Sequence, residues 1–300
     1  MRYAFFGTPN FAAIILGRLI EAGMPPMALI CNPDRPAGRK QVITPPETKQ
    51  LIANGKWQIE ILQPEDILTI RNKLSAISPD FFIVAAYARI LPKEILDIPR
   101  LCTVGVHPSL LPKFRGPSPI QSAILTGEKE TGVSLFLMDD KVDHGPIIGE
   151  QKTSIGPSAY SYELTDRLAE VSAELLIETL PKFVRGKITP LTQDEALATY
   201  TKKFTGADGF VSSEDLEVAA NGKSLKKAIE ISRKIRALNP EPGVWTLRPF
   251  NEFRAVPSRV EGRHAEGKQQ RVKLLEAKLI DSRLQLTRIQ KEGKTPSLLS

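Results

Sequence analysis

The sequence predicts an α/β protein in two parts. Residues 1–189 read as an open, mostly parallel, Rossmann-like sheet, residues 210–300 as a small OB-like β-barrel domain, and residues 190–209 as the linker between them. Three observations predict this. Apolar runs of strand length, such as LCTVGV and DFFIVAAY, are continuous rather than alternating, as suits strands covered by helices on both faces. Those runs alternate with segments of helical spacing, the rhythm of βαβ units. A chain of 300 residues with 41% apolar content is also too long for one core of ordinary size.

The alternation begins at once. An apolar run ending at Phe6 turns through Gly7, Thr8 and Pro9 into NFAAIILGRLIEAG, where Phe11, Ile14, Ile15 and Leu19 keep helical spacing and Gly23 ends the helix. PMALICN supplies a second strand, WQIEIL a third, residues 65–75 a polar helix and DFFIVAAY a strand. A short helix follows Pro92, and LCTVGV leads directly into His107. SPIQSAILTG reads as a helix, TGVSLFLM as a strand, DDKVDHGPIIGE as a turn into another strand, and residues 161–184 as a long closing helix. GKITPLTQDEALATYTKKFTGADG is polar and punctuated by Pro and Gly, hence the linker. Beyond it SLKKAIEISRKIRALNP is amphipathic, with Leu225, Ile229, Ile235 and Leu238 set against Lys226, Lys227, Arg233, Lys234 and Arg236. RVKLLEAKLI and RLQLTRIQ form a hairpin across Asp281 and Ser282.

Charge is divided unevenly. Residues 1–200 carry 21 Lys and Arg against 22 Asp and Glu, a net −1, whereas residues 201–300 carry 20 against 12, a net +8. Basicity confined to the last third fits a polyanionic partner there, through counterion release at phosphates, or a device for solubility. Small barrels of the expected kind often carry nucleic-acid sites. Trp245 and Phe250 are either base-stacking platforms or, as aromatics in small barrels more often are, core residues. Cys31 and Cys102 sit singly in apolar stretches without zinc spacing, so both are expected reduced and buried, with no metal. With no long apolar span and no signal-peptide pattern, a soluble cytoplasmic protein is expected. Gly7 is followed by Thr8 and Pro9 rather than by a G-x-G-x-x-G fingerprint, so a nicotinamide cofactor is not expected.

The chain has three histidines. His107 follows a strand at the edge where open α/β sheets bind ligands. With Asp143 nearby it could manage a proton near neutral pH during acyl transfer, or it could be a hydrogen-bonded structural residue. His144 and His264 stand in no pattern with a partner and are given no role.

The stretch HPSLLPKFRGPSPIQSAI, the following ETGVSLFLMD and then VDHG resemble the folate-dependent formyltransferases. FGTPNFA, NPDRPAGR, AAYARILP, TKKFTGADG, IRALNPEPGVWT and IQKEGKTP extend the likeness in order along nearly the whole chain, toward the branch whose acceptor is initiator methionyl-tRNA. The resemblance implies a soluble monomer that uses 10-formyltetrahydrofolate as formyl donor and initiator methionyl-tRNA as acceptor. It implies His107 as donor to the developing oxyanion and proton carrier, and Asp143 as its orienting partner. Ser109, Leu110, Leu111 and Pro112 match the loop lining the folate site, and Arg89, Ile90 and Leu91 the segment that reads the pterin. Arg35, Arg39 and Lys40 match a loop that reaches the acceptor stem. Relatives usually carry a further Gly after Gly-Arg, where this chain has Lys40 at once.

One position departs. Gly105 stands where the family pattern Asn-x-His-x-Ser-Leu-Leu-Pro has an Asn whose amide is a second oxyanion donor. Losing such a donor costs roughly 10²- to 10³-fold in rate, so reduced or compensated activity is expected. Restoring Gly105→Asn should then raise turnover by about tenfold or more. The alternatives are a catalytically silent relative that binds tRNA or folate, and a formyltransferase acting on an amino sugar nucleotide. The cationic last third counts against the latter, since a small acceptor does not require it.

Overall fold

The computed structural model describes residues 1–38, 40–55, 57–249 and 269–299. Arg39, Phe250 and His264, named above, lie outside the described residues. The chain divides into two compact units, one of Met1–Pro119, Glu130–Ser154 and Glu163–Thr201, the other of Ile120–Lys129, Ile155–Tyr162 and Lys202–Ser300.

The first unit runs through β1 (Tyr3–Phe6), α1 (Asn10–Glu21), β2 (Ala28–Ile30), β3 (Arg35–Ala37), β4 (Val42–Thr44), α2 (Glu47–Gly55) and β5 (Glu60–Leu62). A 3-10 turn at Ile67–Ile70, α3 (Arg71–Ile77), β6 (Phe81–Ala85), α4 (Lys93–Leu96) and β7 (Cys102–His107) follow. Next come α5 (Pro119–Thr126), which beyond Pro119 belongs to the second unit, β8 (Glu130–Leu137), β9 (Ile147–Ser154) and α6 (Ser161–Val184), which joins the first unit from Glu163.

Seven strands form one sheet in the order β5-β2-β1-β6-β7-β8-β9. The first five are parallel, whereas β8 and β9 are added antiparallel. The chain moves outward from β1 to β2 and β5, then returns to lay β6 on the other side of β1. In open α/β sheets such a reversal marks the edge where ligands bind, here the carboxyl ends of β1 and β6, the edge on which β7 also ends. β1 and β6 are almost wholly buried, which is why their sequences are apolar without alternation. Phe6 packs on Phe82 and Tyr87 at ring separations of 4.8 and 5.4 Å, and α6 buries Leu164, Leu168, Leu176 and Leu180 at helical spacing.

Two parts of this unit differ from the sequence expectation. Arg35–Ala37 pairs antiparallel with Val42–Thr44 as a two-stranded ribbon, β3 against β4, where only a turn is legible in the sequence. Residues 190–201, expected to begin the linker, are hydrogen-bonded into the unit. Ile147 and Leu191 exchange both backbone bonds at 2.8 Å, and Thr199 and Thr201 bracket Arg115 through backbone bonds of 2.8 and 2.7 Å. The polarity of that segment serves pairing with protein groups as well as with water.

The second unit contains α7 (Ser213–Ala220), α8 (Leu225–Leu238), β10 (Trp245–Pro249), β11 (Gln269–Ile280), β12 (Arg283–Lys291) and β13 (Ser297–Leu298). Its strands pair antiparallel in chain order. The buried stripe of α8 is Ala228, Ile231, Ser232, Ile235 and Leu238, so Ile229 stands off it and Leu225 is 49% exposed. Small residues define that face, and reading large aliphatics alone rotates it. Trp245 is held structurally: its indole nitrogen donates to the Gly206 carbonyl at 2.7 Å, and its ring meets Phe210 and the Arg271 guanidinium.

The β11–β12 hairpin closes on Asp281 and Ser282 with φ of 47° and 64°. Tight hairpin turns demand positive φ at both central residues, a conformation costly for side chains with a Cβ. Ser282→Gly is therefore expected to raise stability by about 1 kcal/mol in urea unfolding with no change in fold.

Candidate active site

His107 is the last residue of β7 and lies opposite Ser134 of β8 in the antiparallel register. Its side chain is 7% exposed. Nε2 lies 2.9 Å from the Phe114 carbonyl, which can only accept, so Nε2 carries the proton and donates. Phe114 itself has φ 61°, the left-handed conformation that non-glycine residues adopt mainly where surrounding contacts impose it. Nδ1 is then the ring atom free to take up and release a proton. It lies 3.5 Å from Asp143 Oδ2, a charge-pair distance longer than a tight hydrogen bond.

Asp143 is fixed from the other side of the cleft loop. Its Oδ2 accepts the backbone N–H of Gly116 at 2.7 Å, and the residue sits in a turn with φ 49°, which Asp tolerates better than most. The intervening loop is braced beneath. Ser109 is fully buried and donates to the Lys113 carbonyl at 2.6 Å, while the Ser134 hydroxyl donates to the Ser109 carbonyl at 2.8 Å and accepts from the Leu111 amide at 3.0 Å. Leu111 is buried, Leu110 and Pro112 are half-buried, and the Leu111–Pro112 bond is cis. His107, Ser109, Leu110, Leu111, Pro112 and Asp143 therefore share one rim of the sheet.

Arg89, Ile90 and Leu91 lie beyond the carboxyl end of β6, the parallel neighbour of β7. Arg89 donates to the Pro64 and Glu65 carbonyls, Leu91 is buried, and Ile90 is 90% exposed. Arg35 starts the β3 ribbon and pairs with Glu65 at 2.6 Å, both side chains being exposed; Lys40 is exposed at the ribbon tip. Cys31 is buried and Cys102 half-buried; burial pushes both thiols up to about 11. Burial thus disfavours the thiolate form of each. Among the described residues no group of three His, Cys, Asp or Glu side chains is placed to hold a metal ion, and no helix is long and apolar enough to cross a membrane.

Sequence reasoning missed Arg115 and its partners. The Arg115 side chain is fully buried, and its guanidinium makes a bidentate pair with Glu195 at 2.6 and 3.0 Å. It also donates to Gln193 Oε1 at 3.1 and 2.7 Å and to the Tyr200 hydroxyl at 3.1 Å. The hydrogen bonds from Arg115 hold the Glu195 carboxyl below the usual carboxylate range. His144, left without a role above, pairs with Asp139 at 2.6 Å and reaches Glu195 at 3.5 Å. No spacing rule reveals these partners, because they meet only after residues 190–201 fold back.

Gly105 faces Phe136 directly across the β7–β8 pair. A Cβ at position 105 would fall 2.4 Å from the Phe136 ring and 3.1 Å from Met138. The ring, packed with Leu111, Ile147 and Met138, already fills the space that an Asn side chain needs. An Asn at 105 therefore requires the Phe136 ring to move aside, so the gain expected from Gly105→Asn depends on that ring yielding.

Residues 1–180 match the family described as Formyl transferase. The methionyl-tRNA formyltransferase of Chloroflexus aurantiacus is 39% identical over 272 residues, covering 89% of this chain and 84% of that protein. The methionyl-tRNA formyltransferase of Halorhodospira halophila is 36% identical over 298 residues, 97% of this chain and 92% of that protein. Among solved structures, the methionyl-tRNA formyltransferase from Clostridium thermocellum superposes with a TM-score of 0.58 over 97% of this chain and 98% of that one, at 17% identity. A 4-N formyltransferase from Francisella tularensis superposes with a TM-score of 0.61 over 82% and 92%, at 16% identity. At those identities the superpositions show a common fold.

Gly105→Ala is expected to lose about 1–3 kcal/mol of stability by overpacking against Phe136. In a Phe136→Ala background that penalty should vanish. A double-mutant cycle on denaturant midpoints measures the coupling, and additive losses would contradict the contact.

Proposed function

The chain belongs to the formyl transferase family, and from that premise we propose that it moves the formyl group of 10-formyltetrahydrofolate to the α-amine of methionine esterified to initiator tRNA. The observation that carries this reading is the approach of His107 Nδ1 to Asp143 Oδ2 at 3.5 Å on the ligand-binding edge of the sheet. The identity to curated methionyl-tRNA formyltransferases over most of both chains supports the choice of acceptor.

In the transfer, the amine nitrogen bonds to the formyl carbon while the bond from that carbon to N10 of the folate breaks. The amine gives up a proton and N10 gains one. The formyl oxygen carries negative charge on the way, so the site has to offer a donor to that oxygen and a shuttle for the proton. His107 can do both from Nδ1, because Nε2 is committed to the Phe114 carbonyl. Asp143 stands beside Nδ1 and orients the ring, and the Gly116 amide keeps its carboxylate in place. Ser109, Leu110, Leu111 and Pro112 form the wall on the β7 side. Arg89, Ile90 and Leu91 form the wall on the β6 side, where the exposed Ile90 offers apolar surface for a flat ring and backbone groups offer polar contacts for its edge.

Arg35 and Lys40, on and beside the β3–β4 ribbon, Arg39 next to Lys40 in the sequence, and the +8 charge of the last hundred residues are suited to tRNA phosphates. One observation favours a second reading, a relative that binds these ligands without turnover: the Phe136 ring stands where the family's second oxyanion donor would come from.

Purified protein with charged initiator tRNA and the formyl donor separates the two readings. Formylmethionyl-tRNA should accumulate, and Asp143→Asn, which keeps an acceptor for Gly116 but removes the charge, should lower kcat by about 10²- to 10⁴-fold. Product absent from the wild-type protein while both ligands bind would establish the silent reading. Lys40→Glu should weaken tRNA binding and reduce its salt slope by about one, leaving folate affinity unchanged; equal losses for both ligands would contradict the assignment.

A further inference from the structure

Asp143 is held by more than the Gly116 amide. Fifty residues along the chain, Gln193 reaches the same turn with its side-chain amide, donating to the Asp143 carbonyl at 2.9 Å and to the Gly145 carbonyl at 2.8 Å. Gln193 is 6% exposed, so neither carbonyl exchanges that partner for bulk water without opening the loop. The orientation of the amide is not free. Its Oε1 faces Nε and Nη2 of Arg115, which can only donate, and its Nε2 faces two carbonyls, which can only accept.

Arg115 is itself clamped by both oxygens of Glu195 and laid over the Tyr200 ring at 5.8 Å. The residue that follows it is Gly116, whose amide holds the Asp143 carboxylate. A Cβ on Gly116, at φ 102°, would meet Thr201 at 3.0 Å, so that backbone is pressed against the same returning segment. Asp143 is thus tied at both ends to one buried network, at its carbonyl through Gln193 and at its carboxylate through the chain beside Arg115.

We infer that Gln193 is a positioning residue for the reaction proposed above: anchored by Arg115, it sets the turn that presents the Asp143 carboxylate to His107. It touches neither the formyl carbon nor the amine, and it acts through Asp143. The inference rests on the formyl-transfer reading for its kinetic consequence, while its geometric consequence stands without it.

Two substitutions separate positioning from mere packing. Gln193→Glu keeps an acceptor for Arg115 and loses both N–H donors to the turn, whereas Gln193→Met keeps the volume and loses every polar contact. Steady-state kinetics on both should show kcat reduced about 100-fold, with KM for each substrate within about threefold of wild type, because a misplaced acid damages the transition state more than ground-state binding. In parallel, hydrogen exchange at the Gly116 amide should quicken by about tenfold or more in both variants as the Asp143 carboxylate leaves it.

A kcat within about twofold of wild type in Gln193→Glu overturns the inference, as does a loss expressed only in KM, or failure of both variants to fold, which would make the residue structural. If the wild-type protein does not formylate, the function proposed above fails. The Gly116 exchange then decides the positioning role by itself, and unchanged protection in both variants overturns it.

Discussion

A guanidinium has been taken out of water at Arg115, and the active-site rim is arranged around that fact. Burying a cation costs several kcal/mol unless its donors meet acceptors in good geometry. Glu195, Gln193 and Tyr200 meet that demand together, and all three come from the segment that returns to the unit after α6. The arginine cannot shift without abandoning them all. The loop after β7 is therefore pinned at its far end as firmly as the strand pins its near end, and Phe114, one residue earlier, holds the His107 ring from between those anchors. Because Arg115 depresses the Glu195 carboxyl, that clamp is fully present above the ordinary carboxylate range and is lost only as pH falls through the lower value of the folded state.

Much of the scaffold was legible because its signals are local. Strands such as β1 and β6 are buried on both faces, so their sequences carry apolar residues without a break. The 161–184 helix was readable to its ends, since its leucines recur at helical spacing over many turns. The β11–β12 hairpin was readable from a two-residue polar interruption between apolar runs. His107 and Asp143 were legible as candidates for a different reason: one follows a strand at the edge where such sheets bind ligands, and the motif likeness connected the two across the intervening residues. Their separation of 3.5 Å is a tertiary fact that no spacing contains.

The parts that escaped are those whose local chemistry imitates something else. Residues 190–201 are polar and broken by Pro, as a linker is, yet Gln193 is buried and serves protein groups on both sides of its amide. Arg115 stands in a proline-rich loop and carries a residue type seldom found in an interior. On α8, Ala228 and Ser232 form part of the buried stripe that spacing of large aliphatics assigns elsewhere. In each case a polar or small residue was read by its average behaviour, and tertiary pairing reversed it.

Gly105 shows the same limit from the opposite direction. By sequence it is a deletion, a donor missing from a site that uses donors. In the sheet it is half of a cross-strand pair, with the Phe136 ring laid over the space its side chain lacks. Closely packed interiors do not leave such a volume empty, and glycine facing an aromatic across antiparallel strands satisfies that requirement with the backbone undisturbed. The exchange also changes the physics of the rim. An amide would bring one hydrogen bond and the water that competes for it. An aromatic ring packed against Leu111 and Ile147 brings an apolar surface instead. In the reaction proposed above, with that donor absent, stabilisation of the negative oxygen falls more on His107, and so on the geometry by which Asp143 and Phe114 hold its ring.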